Sequence, residues 1–139
     1  MEEGFRILEH PADMGIEAEG RTLADAFIFA AQGLMFIIVD PSTVCPSDRR
    51  SITLQGSDHE NLLVRWLSEI VYLYDGERFL GSQFAIHRLT EKELEANITG
   101  ERVDERKHKF KMDVKAVTYH QLTVTKSPDG FVVRVFLDI

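Results

Sequence analysis

The chain has 139 residues, one cysteine and a formal net charge of −7 at pH 7. This length predicts a single domain over residues 1–139, and one cysteine excludes an internal disulfide and fits a reducing, cytoplasmic location. An acidic surface is poorly suited to a phosphate backbone, which proteins bind mainly through Lys and Arg. No apolar run approaches the roughly 20 residues that span a bilayer, and the first residues lack a secretory signal, so we expect no membrane partner.

The first half of the chain predicts three short strands and two helices. Apolar residues recur at helical spacing after Thr22, which is a good N-cap with Asp25 three residues further on. Ser57 and Glu60 repeat this capping-box spacing before a second, strongly amphipathic helix. The predicted strands are 5–9, 15–19 and 51–54, and the predicted helices are 23–38 and 58–75.

The second half predicts antiparallel strands, because apolar and polar residues alternate between turn signals. Pro128 and Gly130 occupy positions typical of a type I turn before the last strand. The predicted strands are 79–89, 93–99, 111–117, 121–126 and 131–137. A largely antiparallel sheet packed with two main helices is an α+β fold.

Acidic residues near the two ends of the chain form the first candidate site. Asp13 lies in a predicted turn, and Asp138 and the terminal carboxylate of Ile139 follow the last predicted strand. If the turn lies over that strand, three carboxylates converge, and oxygen donors of this kind select hard cations such as Ca²⁺, Mg²⁺ or Mn²⁺. The alternative is an aspartate that caps its own turn and an unrelated, exposed C-terminus.

Three further side chains are candidates for the surroundings of such a site. His10 precedes Pro11 in the acidic turn, and Lys115 and His120 belong to the predicted strand region near the C-terminal third. In a regular strand, Lys115 and His120 would lie on opposite faces. Each also has a structural interpretation, as a hydrogen-bonded turn or edge histidine or as a solvent-facing lysine.

Basic residues are concentrated between Arg102 and Lys115, where acidic residues interrupt them. This pattern is typical of a solvated loop, and the alternative is a local contact with phosphate or with an acidic partner. The remaining histidines have no metal-ligand spacing, and the chain has no glycine-rich phosphate loop and no nucleophile elbow.

Three blocks of the sequence, in order, resemble the archease family along the whole chain. They are the segments 9–16 (EHPADMGI), 61–75 (NLLVRWLSEIVYLYD), and 114–120 (VKAVTYH) followed by the ending 136–139 (FLDI). The first block departs from the family pattern, since Pro11 stands where threonine is expected and Met14 where isoleucine or valine is expected.

The resemblance implies a small α+β protein that is not itself an enzyme. It implies an activator of the RtcB-type RNA ligase of tRNA splicing, which promotes guanylylation and multiple turnover of the ligase and meets RNA only through it. It also implies a divalent-metal site, most often calcium, at Asp13, Asp138 and Ile139, with Lys115 on the functional surface. Two alternatives stay open: a metal-dependent phosphoesterase or hydrolase, and a chaperone-like binding module with a structural metal.

Overall fold

The computed structural model describes residues 2–9 and 13–139. Their elements are β1 Gly4–Glu9, β2 Asp13–Gly20, α1 Leu23–Ile38, a 3-10 turn Pro41–Thr43, β3 Asp48–Gln55, α2 His59–Asp75, β4 Phe79–Leu89, β5 Glu93–Arg102, β6 Ala116–Ser127 and β7 Gly130–Asp138. No helix in these ranges is long and apolar enough to cross a membrane.

The strands form two antiparallel sheets with the helices packed between them. One sheet has the order β1-β2-β7-β6 and the other has the order β3-β5-β4. Both helices contact strands of both sheets, so each sheet has one face against the helices and one outer face. The α+β prediction is confirmed.

The helices between the sheets contact each other and the strands through buried side chains. Trp66 of α2 is fully buried, donates its indole N–H to the carbonyl of Phe27 in α1 at 3.0 Å, and packs edge-on against Phe84 of β4. A Cβ at Gly33 of α1 would lie 2.9 Å from the side chain of Ile16. The glycine therefore permits close packing of α1 on β2.

The first helix begins where the sequence predicts, and the second is shifted by one residue. Thr22 accepts the N–H of Asp25 at 3.0 Å, as expected for its N-cap. The cap of α2 is Asp58 rather than Ser57, and it accepts the N–H of Asn61 at 2.8 Å. The charged carboxylate is the stronger acceptor, and the side chain of Asn61 accepts the N–H of Ser57 in return at 3.0 Å.

The predicted strand 111–117 is wrong over most of its length. Residues 111–115 form a connection along the end of α1, where Lys111 donates its N–H to the carbonyl of Ile38 at 2.9 Å. Val114 is buried in the core, so the apolar alternation reflects burial of a connecting segment rather than pairing in a sheet. The strand starts at Ala116 and continues through 127, which joins two predicted strands into one.

A large bulge interrupts this continuous strand. Residues 119–122 of β6 lie between the paired positions Thr118 and Thr123, whose partners on β7 are separated by one residue. Gln121 has φ +51°, which is uncommon for a residue with a side chain. The side chains of residues 119–121 are exposed there, whereas Leu122 packs against the core, as expected where a bulge interrupts the ladder.

Candidate functional site

The structure brings Asp13 and Asp138 together at one end of the four-stranded sheet. They are directly opposite each other as the last pair of the β2–β7 ladder. Side chains at opposite positions of an antiparallel pair lie on the same face, with Cβ atoms about 4.5–5.5 Å apart. Two carboxylates from opposite ends of the chain are thus neighbours on a rigid pair of strands.

The surroundings of the two carboxylates differ. Asp138 is exposed, whereas Asp13 is half-buried and its Oδ1 atom is shielded from solvent without a hydrogen-bond partner among the described residues. Ile139 is half-buried against the core. A buried carboxylate oxygen without a donor is costly unless a cation or donor satisfies it. This orphaned oxygen fits the hard-cation chemistry that the sequence predicts for Asp13, Asp138 and Ile139.

The candidate donor set is small. Within 2–9 and 13–139, no group of three or more His, Cys, Asp or Glu side chains is arranged to hold a metal ion. The predicted set contributes two such side chains, and its third donor is the terminal carboxylate of Ile139. Since Ca²⁺ takes six to eight oxygen ligands, a cation held by this set would keep positions for water or for oxygens of a partner.

Lys115 lies next to the carboxylates, but it is not a strand residue. Its N–H donates to the main-chain carbonyl of Asp138 at 2.8 Å, which ties the connection before β6 to the end of β7. Its side chain is exposed and lines a groove between α2 and β6 together with Tyr72 and Asp75. The main chain of Lys115 is thus fixed beside Asp138, while its side chain lies in the groove on the α2 side of the sheet.

The β6 bulge places His120 on the outer face of the four-stranded sheet, which is also the face of Asp13 and Asp138. The hydroxyl of Thr118 donates to the carbonyl of Phe136 at 3.0 Å and accepts the N–H of His120 at 3.3 Å. The imidazole then packs edge-on against the ring of Phe136 at 6.1 Å between centroids. Phe136 is two residues before Asp138, so both side chains point to the same side of β7. His10, the third predicted neighbour, lies outside the described residues.

One buried charge cluster on this outer face was missed by the sequence analysis. Glu17 of β2 is buried and accepts hydrogen bonds from Arg6 on one side, at 2.8 Å, and from Arg134 on the other, at 3.1 Å. Burial by itself favours the neutral acid, but the hydrogen bonds and charges of Arg134 and Arg6 outweigh it and hold the pKa of Glu17 below its ordinary value. The sequence contains one sign of this cluster: each of the three predicted strands carries one of its charged residues among apolar ones.

A second missed cluster anchors the connection between β5 and β6. The ammonium group of Lys107 donates to Glu101 at 2.7 Å, and His108, whose imidazole is fully buried, lies 2.6 Å from the same carboxylate. Hydrogen bonds from Lys107, from the N–H of Cys45 and from His108 hold the pKa of Glu101 at about 2. The Nδ1 atom of His108 accepts the N–H of Asp104 at 2.9 Å, which leaves Nε2 as the protonated nitrogen that donates to Glu101.

Comparison with known proteins identifies the family. A model of the Archease protein family matches residues 5–139. The chain belongs to this family. The archease of Sulfurisphaera tokodaii is 37% identical over 137 residues, which cover 97% of this chain and 98% of the relative. The archease of Saccharolobus solfataricus is 41% identical over 138 residues, with 97% and 98% covered.

Solved structures agree with this assignment. The solution structure of protein 1598 from Methanobacterium thermoautotrophicum has a TM-score of 0.83 and 28% identity, covering 98% of this chain and 99% of that one. A crystal structure from Thermotoga maritima, described as an archease and possible chaperone, has a TM-score of 0.62 and 17% identity over the full length of both chains. The second likeness concerns the fold alone. The family predicted from the three sequence blocks is confirmed.

Proposed function

We propose that this protein is a non-catalytic activator of an RtcB-type RNA ligase in tRNA splicing. In this role it promotes guanylylation of the ligase and its multiple turnover in the cytoplasm, and it meets RNA through the ligase. Membership of the archease family supports the proposal. The observation that carries it is the pairing of Asp13 with Asp138, with one buried carboxylate oxygen that lacks a donor within the described part of the chain.

The residues at this end of the sheet would act by holding and presenting a divalent cation. Asp13, Asp138 and the terminal carboxylate of Ile139 are its proposed ligands, with Ca²⁺ the first candidate and Mg²⁺ or Mn²⁺ as alternatives. Such a cation supplies positive charge that stabilises phosphate oxygens.

The fold adds rigidity and local charge to this arrangement. The β2–β7 ladder fixes the two aspartates, and the N–H of Lys115 holds the main chain of Asp138. The imidazole of His120, which packs on Phe136, would contact the nucleotide or the ligase beside the carboxylates, and the exposed Lys115 would contact the ligase from the groove beside α2. Because the proposed donor set leaves coordination positions open, oxygens of the partner complete the site.

Guanylylation of the ligase tests the proposal directly. Asp13→Asn and Asp138→Asn each remove one charged donor while keeping shape, so we expect at least a tenfold loss of stimulation, as is typical when a group that stabilises developing charge is removed. Asp129→Asn is the matched control, because this aspartate is exposed in the turn before β7 and makes the same change of charge. Full stimulation by both site variants would refute the role of these carboxylates.

A chaperone-like binding module with a structural cation is the second candidate. The relative from Thermotoga maritima is described as a possible chaperone, and a cation bound between two strand ends would stabilise the fold by mass action. The same assay separates the two functions. Under this candidate, chelation lowers the melting temperature of the protein but leaves stimulation of the ligase intact.

A further inference from the structure

The connection between β5 and β6 carries a concentration of positive charge that the proposed metal site does not use. Residues 102–111 include five basic and two acidic side chains, in a chain whose net charge is −7. We define the basic strip as Arg102, Arg106, Lys109, Phe110 and Lys111, together with Phe36 at the end of α1. Acidic residues also line the groove beside Arg102 and Arg106, but two of them are already paired, Glu101 with Lys107 and Glu105 with Arg78.

The backbone under the basic strip is firmly held. The N–H of Asp40 donates to the carbonyl of Lys109 at 2.8 Å, and the N–H of Lys111 donates to the carbonyl of Ile38 at 2.9 Å. Phe110 pairs with Val39 in an isolated β-bridge, and the buried His108 ties the segment to β5. The side chains of the strip are therefore presented from a fixed surface and not from a loose loop.

Three of the positively charged side chains make no direct hydrogen bond or ion pair in the described structure, although the charge of Lys109 helps to lower the pKa of Asp40. Lys107 is bound to Glu101, and Lys111 donates to the carbonyl of Phe36 at 2.8 Å. In contrast, the exposed side chains of Arg102, Arg106 and Lys109 form no hydrogen bond or ion pair with any residue in 2–9 or 13–139. Unpaired, exposed cations are the groups that displace counterions from a phosphate backbone.

Exposed aromatic rings accompany these charges. Four large hydrophobic side chains are exposed among the described residues, and two of them belong to the basic strip: Phe36 at 42% and Phe110 at 37%. The ammonium group of Lys111 lies 3.5 Å from the centre of the Phe36 ring. Basic side chains interleaved with exposed rings are typical of surfaces that bind single-stranded nucleic acid, because phosphates meet the cations and bases stack on the rings.

We propose that the basic strip binds single-stranded RNA. The choice of RNA over DNA rests on the proposed role beside an RNA ligase, whereas the choice of nucleic acid over an acidic protein rests on the exposed rings. The strip would then hold an RNA end by backbone and stacking contacts, with little preference for sequence. This contact is direct, so it departs from the expectation that RNA is met only through the ligase.

Fluorescence anisotropy with a labelled 12-nucleotide single-stranded RNA at 50 mM salt tests the proposal. Arg106→Glu/Lys109→Glu should weaken binding by about tenfold or more and reduce the slope of log K against log salt by about 1.4, because two phosphate contacts are lost. Lys92→Glu/Lys126→Glu is the matched control, with the same change of net charge at two exposed lysines outside the strip. Phe110→Leu should also weaken binding, since it keeps the apolar bulk but removes the ring.

Three results would overturn the proposal. The first is no binding of the RNA by the wild-type chain at 50 mM salt, and the second is an equal loss in the control variant. The third is equally tight binding of polyglutamate of the same charge, which would assign the strip to an acidic protein. The Asp13→Asn and Asp138→Asn variants should keep RNA binding. The Arg106→Glu/Lys109→Glu variant should keep stimulation of guanylylation in the absence of RNA. Failure of this inference is therefore distinct from failure of the proposed function.

Discussion

Glu17 and Asp13 are two acidic residues on the same face of β2, but the residues opposite them on β7 carry opposite charges. Glu17 lies opposite Arg134 on β7, whereas Asp13 lies opposite Asp138 on the same strand. Glu17 is buried and held by two guanidinium groups. Asp13 has a buried oxygen without a donor among the described residues. One ladder thus places opposite charges together at one pair and like charges together at another.

The difference shows that the acidic pair is not a necessity of this fold. The four-stranded sheet satisfies a buried carboxylate where an arginine stands opposite it, so an arginine at 138 would satisfy Asp13 in the same manner. Like charges directly opposite each other destabilise a sheet. The sequence therefore gives up stability at Asp13 and Asp138, which is typical of a functional site and is offset when a cation binds.

The largest effect expected from this comparison is stabilisation by calcium. A ligand at one hundred times its Kd raises the free energy of unfolding by about 2.7 kcal/mol. We expect this increment for the wild-type chain, in urea titrations with and without Ca²⁺. We expect Asp13→Asn and Asp138→Asn to lose it, because each removes a charged oxygen donor.

Glu17→Gln provides the control for this effect. It alters a carboxylate on the same face but leaves the acidic pair unchanged, so the calcium increment should persist. An equal increment in all four proteins would mean that calcium binds elsewhere, and the comparison between the two carboxylates would then fail.

The second effect is the cost of breaking the satisfied cluster. Glu17→Gln keeps the size of the side chain but removes the negative charge between Arg6 and Arg134. Loss of one partner from a buried ion pair costs about 3–5 kcal/mol, and the exposure of the two arginines reduces this to about 2 kcal/mol. Urea unfolding in the absence of calcium measures the loss.

Asp13→Asn in the same calcium-free experiment sharpens the contrast. Since it removes a like-charge contact and no ion pair in the described structure, its free energy of unfolding should not fall and should rise by up to about 0.5 kcal/mol. A loss as large as that of Glu17→Gln would show that Asp13 is structurally paired in solution.

The helices were the most predictable part of the fold. Residues 23–38 combine a threonine cap with apolar residues at helical spacing, and both signals are local. The prediction of a strand over 111–117 is wrong for a physical reason: Val114 is buried in the core although its segment has no strand partner, and alternation shows burial without showing whether a partner strand is present. The β6 bulge has no local signal either, since Gln121 is not a residue type that favours positive φ.

The spacing of residues along the sequence does not show which charged residues face each other across β2 and β7. The pairing of Asp13 with Asp138 and that of Glu17 with Arg134 depend on the register of β2 against β7, which is set by contacts between opposite ends of the chain. The residues suggested the first pair only as one of two alternatives, which the family resemblance favoured, and nothing suggested the second. Once the register is known, both follow from the same rule of opposite positions.

The last effect is the pH dependence of the Glu17 contribution. Arg134 and Arg6 hold the pKa of Glu17 below its ordinary value of 4.5 despite burial. The stability that ionised Glu17 gives to the folded chain is therefore fully present above pH 4.5 and is lost as the pH falls through the folded-state pKa. The difference in unfolding free energy between the wild-type chain and Glu17→Gln should therefore be constant from pH 7 to about 5 and shrink below 4.5. The depressed pKa of Glu101 acts equally in both proteins and cancels in this difference. Urea titrations from pH 7 to 3 measure it, and a difference that grows as the pH falls would contradict the assignment of Glu17 as an ionised, arginine-bound carboxylate.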